Sequence, residues 1–118
     1  MADRITVYQK PSCSTCRQVH AALQERGVDF AAVDYDVTPL TRQRLAALVK
    51  KLGAPARTLF RTKEEIYAEL KLGEREVPDA EAIDLMVTHP DLMQRPIVEQ
   101  GNRAILARPA ERLQELFR

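Results

Sequence analysis

The stretch ITVYQKPSCSTCRQVHAALQERGVDFAAVDY, residues 5–35, decides the fold. Ile5–Tyr8 is rich in β-forming residues and is soon followed by a proline, which predicts a short strand. From residue 13 onward apolar side chains recur at helical spacing, and Gly27 is typical of the position just beyond a helix end. Phe30–Tyr35 is a second strand candidate. A strand, a helix and a strand in this order predict a βαβ unit with parallel strands.

The segment that follows is predicted to be helical. Thr62–Glu65 reads TKEE, which has the form of a capping box and predicts a helix running up to Gly73. Another helix begins at Pro78-Asp79 and stops at His89-Pro90. The first helix of this block ends at Gly53 and places four apolar residues on one face: Leu45, Leu48, Val49 and Leu52.

Strand patterns return near the C-terminus. Ile97-Val98 and Ala104–Leu106 are joined through Gly101-Asn102, which predicts a hairpin. Pro109 suits the first turn of a final helix whose apolar residues point inward: Leu113, Leu116 and Phe117. The order βαβ, a helical block at about 38–92, then ββα predicts an α/β chain with a four-stranded mixed sheet. We therefore expect a single thioredoxin-like domain over residues 1–118, with the helical block as an insertion.

Composition excludes several classes of protein. The 118 residues include 18 Lys+Arg and 17 Asp+Glu, a formal net charge of +1, which argues against direct binding to nucleic acid. No apolar run approaches the ~20 residues that span a bilayer. The N-terminal residues lack the apolar core of a signal peptide, so we expect a cytoplasmic protein without a membrane partner. Two cysteines are too few for a disulfide scaffold.

The motif Cys13-Ser14-Thr15-Cys16 lies where the first predicted strand leads into the first helix. A thiol at a helix N-terminus faces unpaired backbone N–H groups and the positive end of the helix dipole, which favour the thiolate. A CxxC beside a βαβ unit in a cytosolic chain indicates a redox function. Two interpretations of Cys16 remain open: it forms a disulfide with Cys13, or it is a small buried helix residue and Cys13 alone reacts. A zinc site needs four ligands, and no second CxxC accompanies this one.

The same helix N-terminus is a candidate anion site. The backbone N–H groups of Ser14, Thr15 and Cys16 can hold a tetrahedral oxyanion against the Cys13 sulfur. A multiply charged oxyanion needs cationic side chains from elsewhere in the chain, because the helix carries the nearby Arg17 side chain away from its opening. No glycine-rich phosphate loop is present, so we expect no nucleotide site.

Several stretches, taken in order, resemble the glutaredoxin-linked arsenate reductases. The resemblance covers nearly the whole chain without large gaps, and its specificity lies in the ordered combination of motifs. The matching stretches are Ile5–Tyr8 followed by Pro11-Ser12-Cys13, Arg57–Arg61, Tyr67–Leu70, His89-Pro90, Gln94–Val98 and Ala107–Pro109.

The resemblance implies a reaction and a set of site residues. Cys13 corresponds to the family's nucleophile, and the bond between Arg95 and Pro96 corresponds to its cis peptide. Reduction of arsenate to arsenite is implied without a bound cofactor or metal. The second thiol comes either from glutathione with glutaredoxin or from Cys16, whose disulfide a thioredoxin or glutaredoxin then reduces. The three arginines implied to bind the oxyanion are Arg61, Arg95 and Arg108.

Two positions depart from the family pattern. Gln9 stands where some members carry a histidine thought to help ionise the cysteine, and Cys16 stands where those members have serine. Spx-type regulators, relatives on the same fold, have a CxxC here and bind RNA polymerase. Two alternatives to a reductase therefore stay open: a redox-sensing regulator with a protein partner, and a general glutaredoxin-like thiol oxidoreductase.

Overall fold

A mixed sheet organises the two ends of the chain. In the computed structural model, which describes residues 4–117, the strands are β1 (Ile5–Gln9), β2 (Phe30–Asp34), β3 (Ile97–Gln100) and β4 (Arg103–Leu106). Their order is β2-β1-β3-β4; β1 and β2 are parallel, and the other two pairs are antiparallel. The predicted parallel βαβ unit and the four-stranded mixed sheet are confirmed.

Helix α1, Ser14–Glu25, connects the two parallel strands. Its apolar face packs against the sheet, and burial of each large side chain contributes roughly 1.5–3 kcal/mol. The helix therefore begins at a fixed place beside the carboxyl end of β1. Gly27 follows the helix with a φ of 68°, as its predicted position requires. The core on this face of the sheet is formed by Ile5, Val7, Val19, Leu23, Val98, Ala107, Leu113 and Leu116.

The C-terminal helix differs from the prediction. The last element is a 3-10 helix over Ala110–Phe117, and Pro109 precedes it instead of lying in its first turn. The Pro109 carbonyl accepts the first turn's hydrogen bond from the Arg112 amide, at 3.0 Å. A proline with no N–H fits this preceding position equally well. Leu113 and Leu116 are buried as predicted.

The chain divides into two compact units, which we describe separately. The sheet and α1 belong to the unit formed by the N-terminal segment up to Thr38 and the C-terminal segment from Arg95. The other unit is Pro39–Gln94, whose bounds are close to those expected for the helical insertion. The expectation that both units form one domain stays a prediction. No helix in the described part of the chain is long and apolar enough to cross a membrane.

The second unit contains α2 (Arg42–Leu52), α3 (Glu65–Glu69) and α4 (Asp79–Thr88). The predicted end of α2 at Gly53 is confirmed, because this glycine has a φ of 71°. The bounds of α4 agree with the prediction of a start at Pro78-Asp79 and a stop at His89-Pro90.

The capping-box prediction for Thr62–Glu65 is wrong. Helix α3 begins only at Glu65, Glu64 is its N-cap residue, and no side chain caps it. The chain is still turning before the helix, since the Glu64 amide donates to the Arg61 carbonyl at 3.1 Å. The helix also ends before Gly73, because Lys71 takes the left-handed conformation with a φ of 54°.

Candidate active site

Cys13 is the N-cap residue of α1. Its Sγ accepts a hydrogen bond from the Cys16 backbone amide at 3.2 Å. Its own amide donates to the Lys10 carbonyl at 3.0 Å, which fixes the turn between β1 and the helix. A sulfur thus occupies the position where a side-chain oxygen usually satisfies the first helical N–H groups. The Cys13 sulfur lies at the positive end of the helix dipole.

The surroundings of Cys13 favour its thiolate. Burial alone raises the pKa of this thiol, but hydrogen bonds from the Cys16 thiol and the Cys16 amide lower it, and so does the positive charge of Arg95. The combined result is a pKa below the ordinary value for cysteine. Because the thiolate is the nucleophilic form, this lowered pKa makes Cys13 more reactive toward an electrophile than an ordinary cysteine at the same pH.

Cys16 has the opposite character. Only 1% of its surface is exposed, against 9% for Cys13, and both cysteines are reduced. Burial and the hydrogen bond to Cys13 raise the pKa of Cys16 to about 12. Cys16 therefore stays a thiol that donates to its neighbour. Its burial agrees with the interpretation of Cys16 as a small buried helix residue. Its contact with Cys13 is also what a disulfide between the two cysteines would require.

Arg95 is the cation whose charge acts on the reactive sulfur. It is buried, and its guanidinium interacts with both the Cys13 thiol and the Tyr35 side chain. Burial by itself lowers the pKa of Arg95, but Tyr35 and Cys13 raise it, so the side chain remains charged. The peptide bond from Arg95 to Pro96 is cis.

Tyr35 is a site residue that the sequence pattern does not single out, because the pattern predicts only that Tyr35 ends a strand. It is almost fully buried, and its backbone amide donates to the Gln9 carbonyl at 3.3 Å. A large polar aromatic residue just after a parallel strand is the signal that could have revealed it, because ligand sites form at the carboxyl ends of such strands.

Arg108 lies across the first turn of α1. Its Nη1 donates to the Arg95 carbonyl at 3.2 Å and more weakly to Thr15 Oγ1 at 3.4 Å. Its side chain is largely exposed, and so is Ser14, the first residue of the helix. The first unit thus brings together Cys13, Cys16, Ser14, Thr15, Arg95 and Arg108.

Arg61 belongs to the second unit. Its amide donates to the Leu92 carbonyl at 2.7 Å, and its Nε lies 3.9 Å from Glu64 Oε1. These contacts place the Arg61 backbone beside the residues that end the unit, where Phe60 also pairs with Met93. The role of Arg61 as a third oxyanion-binding arginine stays a prediction.

Gln9 and His20 each contact a residue of β2. Gln9 Nε2 donates to Asp34 Oδ1 at 2.8 Å, so this amide is engaged with the neighbouring strand. His20 packs edge-on against Phe30, with ring centroids 5.0 Å apart. Burial lowers the pKa of His20, partly opposed by Asp34. No group of three or more His, Cys, Asp or Glu residues among residues 4–117 is arranged to hold a metal ion.

The alkylation rates of the two thiols are expected to rise at different pH values. Cys13 should react with iodoacetamide below the ordinary thiol pKa, because its lowered pKa keeps a thiolate population there. Cys16 should resist until the pH approaches about 12. Peptide mapping by mass spectrometry across a pH series measures both rates, with Cys16→Ser as the single-thiol control. Parallel alkylation of the two cysteines across the series would contradict the assignment.

Comparisons with known proteins identify a family. Residues 8–116 match the model of the ArsC family. The chain is 38% identical to the protein YfgD of Escherichia coli (strain K12), described as uncharacterized, over 98% of each chain. It is 37% identical to an arsenate reductase of the same strain, covering 98% of this chain and 82% of the relative. A solved structure of an arsenate reductase from Vibrio cholerae superposes with a TM-score of 0.90, at 34% identity and 98% coverage of both chains.

Proposed function

The chain belongs to the ArsC family, and from that premise we propose that it reduces arsenate to arsenite with Cys13 as the nucleophile. The observation that carries this proposal is the pairing of Cys13 with Arg95 at a helix N-terminus. A cysteine whose pKa is lowered and that lies beside a buried cation fits an enzyme that attacks an oxyanion with a thiolate. The thioredoxin-like fold shared with the arsenate reductase of Vibrio cholerae supports the same activity.

Charge balance explains how the substrate binds. Arsenate is a dianion that a thiolate cannot approach until its charge is compensated. Arg95 supplies a positive charge at the sulfur, and Arg108 extends over the same helix opening. First-turn amides of Ser14 and Thr15 add preorganised donors. The family resemblance supplies Arg61 as a third arginine. Fixed guanidinium groups replace water around the oxyanion and so favour attack by the thiolate.

The chemical steps balance with two thiols. The Cys13 thiolate forms a bond to arsenic, and an arsenate oxygen leaves as hydroxide or water, which gives an As(V)–S adduct. A second thiol then forms an S–S bond with the Cys13 sulfur, and the electron pair of the broken As–S bond stays on arsenic. Arsenic leaves as arsenite, As(III), while two thiols have become one disulfide.

The second thiol has two possible sources with different consequences. External glutathione acting with glutaredoxin is one, and Cys16 is the other. The contact between the two sulfurs favours Cys16, because a neighbouring thiol acts at a high effective concentration. Formation of the adduct also removes the Cys13 thiolate, whose charge and hydrogen bond are among the causes that raise the pKa of Cys16. Thioredoxin or glutaredoxin then reduces the resulting disulfide. These reductants operate in the cytoplasm, which is where we place the protein as part of the proposal.

Cys16→Ser is expected to lower thioredoxin-coupled arsenate turnover by at least about 100-fold, the lower end of the advantage that an intramolecular partner gives. Glutathione-coupled turnover should persist, because an external thiol can still attack the adduct. Initial rates with each reductant system measure the difference. Equal thioredoxin-coupled rates in the variant and the unmodified protein would show that Cys16 is not the resolving thiol.

The proposed activity is tested by arsenate-dependent oxidation of NADPH. The reaction is coupled in parallel through thioredoxin with its reductase and through glutathione with glutaredoxin. We expect NADPH oxidation that depends on both arsenate and protein in at least one system. Its absence in both systems, with protein shown by circular dichroism to be folded, overturns the proposal.

The contact between the two thiols also favours a second candidate, a redox-sensing regulator that closes a disulfide. A general thiol oxidoreductase would use the same pair. The three functions separate by experiment. A regulator binds its partner, such as RNA polymerase subunits, in one redox state only. A general oxidoreductase reduces a model disulfide without arsenate.

A further inference from the structure

We propose that Cys13 and Cys16 together form a binding site for trivalent arsenic, which is held as a dithiol chelate. Binding of trivalent arsenic requires only the two thiols. Retention of arsenite as the enzyme's product rests on the proposed function. With such a site the chain would bind As(III) compounds as well as reduce As(V).

The positions of the sulfurs carry the inference. Cys13 caps α1 and Cys16 lies in its first turn, so the two residues share one helical face. The Cys16 amide contacts the Cys13 sulfur at 3.2 Å, and the Cys16 thiol hydrogen-bonds that same sulfur. Both thiols are reduced. One atom that bonds to sulfur can therefore bridge the pair without a rearrangement of the helix.

The order of bond formation follows from exposure. Cys16 is 1% exposed and Cys13 9%, so an incoming arsenical meets the Cys13 sulfur first. The Cys13 thiolate bonds to arsenous acid and displaces one hydroxide. The Cys16 thiol then bonds to the same arsenic, and its proton leaves with a second hydroxide as water. Arsenic stays As(III) throughout, keeps one hydroxyl group, and no electrons are transferred.

The number of thiols at this site suits trivalent arsenic better than a structural zinc ion. Zinc in such sites takes four protein ligands, whereas no cluster of three or more ligating residues occurs in the described chain, 4–117. Trivalent arsenic is complete with two sulfurs and one further substituent, either a hydroxyl or an aryl group. Phenylarsine oxide, which carries one aryl group, therefore matches a site with two thiols.

Retention follows from the chelate. When one As–S bond breaks, the other holds the arsenic beside the free sulfur, and the bond forms again before the ligand escapes. A monothiol such as glutathione must replace both bonds to release the arsenic, while a small dithiol can replace them together. The reduced enzyme would thus keep its own product until a competing dithiol or the next oxidation of the pair removes it.

The test is titration of the reduced full-length protein, freed of small thiols, with phenylarsine oxide. We expect one phenylarsine per chain by intact mass, with loss of both titratable thiols. Dimercaptopropanol should reverse the adduct, and excess glutathione should not. Cys16→Ser should bind at least about 100-fold more weakly and release phenylarsine to glutathione, since the second anchor is gone.

Measurements on the unmodified protein are sufficient to decide whether the proposal holds. An adduct that consumes one thiol, or that glutathione removes as easily as a single-thiol adduct, overturns the proposal even where Cys16→Ser fails to fold. Cys16→Ala provides a second single-thiol protein. The result is independent of arsenate reduction. If the protein chelates phenylarsine but does not reduce arsenate, the proposed function is wrong and the arsenic-binding site is supported. If it reduces arsenate but does not chelate phenylarsine, the proposed function is supported and the arsenic-binding site is wrong.

Discussion

Replacement of Cys13 by serine is expected to reduce arsenate-dependent NADPH oxidation at least about 1,000-fold, because loss of a covalent nucleophile costs up to ~10⁶ in comparable enzymes. Serine keeps a hydrogen-bond acceptor at the N-cap of α1, so the helix start should be preserved. The hydroxyl, however, is not ionised near neutral pH and cannot form the As–S adduct. Initial rates with both reductant systems measure the loss.

The control for Cys13→Ser is the matched change at the other cysteine. Cys16→Ser also removes one sulfur from the first turn of α1, yet it should keep glutathione-coupled turnover. A Cys13→Ser protein that still reduces arsenate at a comparable rate would show that the nucleophile lies elsewhere.

The second large effect is expected at Arg95. Arg95→Gln should lower kcat/KM for arsenate by about 10²–10³, the usual cost of removing one preorganised donor from an oxyanion site. It also removes the positive charge that lowers the pKa of Cys13. The pKa should therefore rise, and the pH profile of Cys13 alkylation should shift to higher pH. Steady-state kinetics and the alkylation series measure the two effects separately.

Arg95→Lys separates charge from geometry. Lysine keeps a cation near the sulfur, so the alkylation profile should stay close to that of the unmodified protein. It loses the planar guanidinium with its fixed set of donors for an oxyanion, so arsenate kcat/KM should still fall about 10-fold or more, as one charge-assisted hydrogen bond of ~1.5 kcal/mol implies.

Arg112→Gln is the matched control for Arg95→Gln, because it makes the same substitution outside the proposed site. This arginine lies on the C-terminal 3-10 helix and pairs only weakly with Glu115 at the surface. Its loss should leave kinetics and alkylation unchanged. If Arg95→Gln behaves like Arg112→Gln in both measurements, Arg95 has no part in arsenate binding or in ionising Cys13. Thermal unfolding distinguishes a loss of function from a loss of fold, because Arg95 is buried.

The parts of the fold that depend on local patterns were predictable. Alternating β-formers gave β1, helical spacing and Gly27 gave α1, and Gly101-Asn102 gave the hairpin. The start of α3 was not predictable. Thr62–Glu65 has the letters of a capping box, but a turn at Arg61 delays the helix, and a motif read locally does not reveal that turn.

The site was predictable only in part. Cys13 follows from its place between a strand and a helix, since that junction fixes its chemistry. Arg95 and Arg108 are far from it in sequence, and only the resemblance to a family singled them out. Tyr35 was missed because a buried hydroxyl acquires its role from the guanidinium beside it. Spacing does not reveal such long-range contacts.

The most direct test is to identify the arsenic species that the protein releases. Reduced protein is incubated with arsenate and each reductant system, denatured, and the supernatant is resolved by chromatography with arsenic-specific detection. We expect arsenite to accumulate in step with NADPH oxidised, one for one, and Cys13→Ser to match the protein-free blank. Arsenite no higher than that blank in both systems, from folded protein with its thiols reduced, would contradict the account.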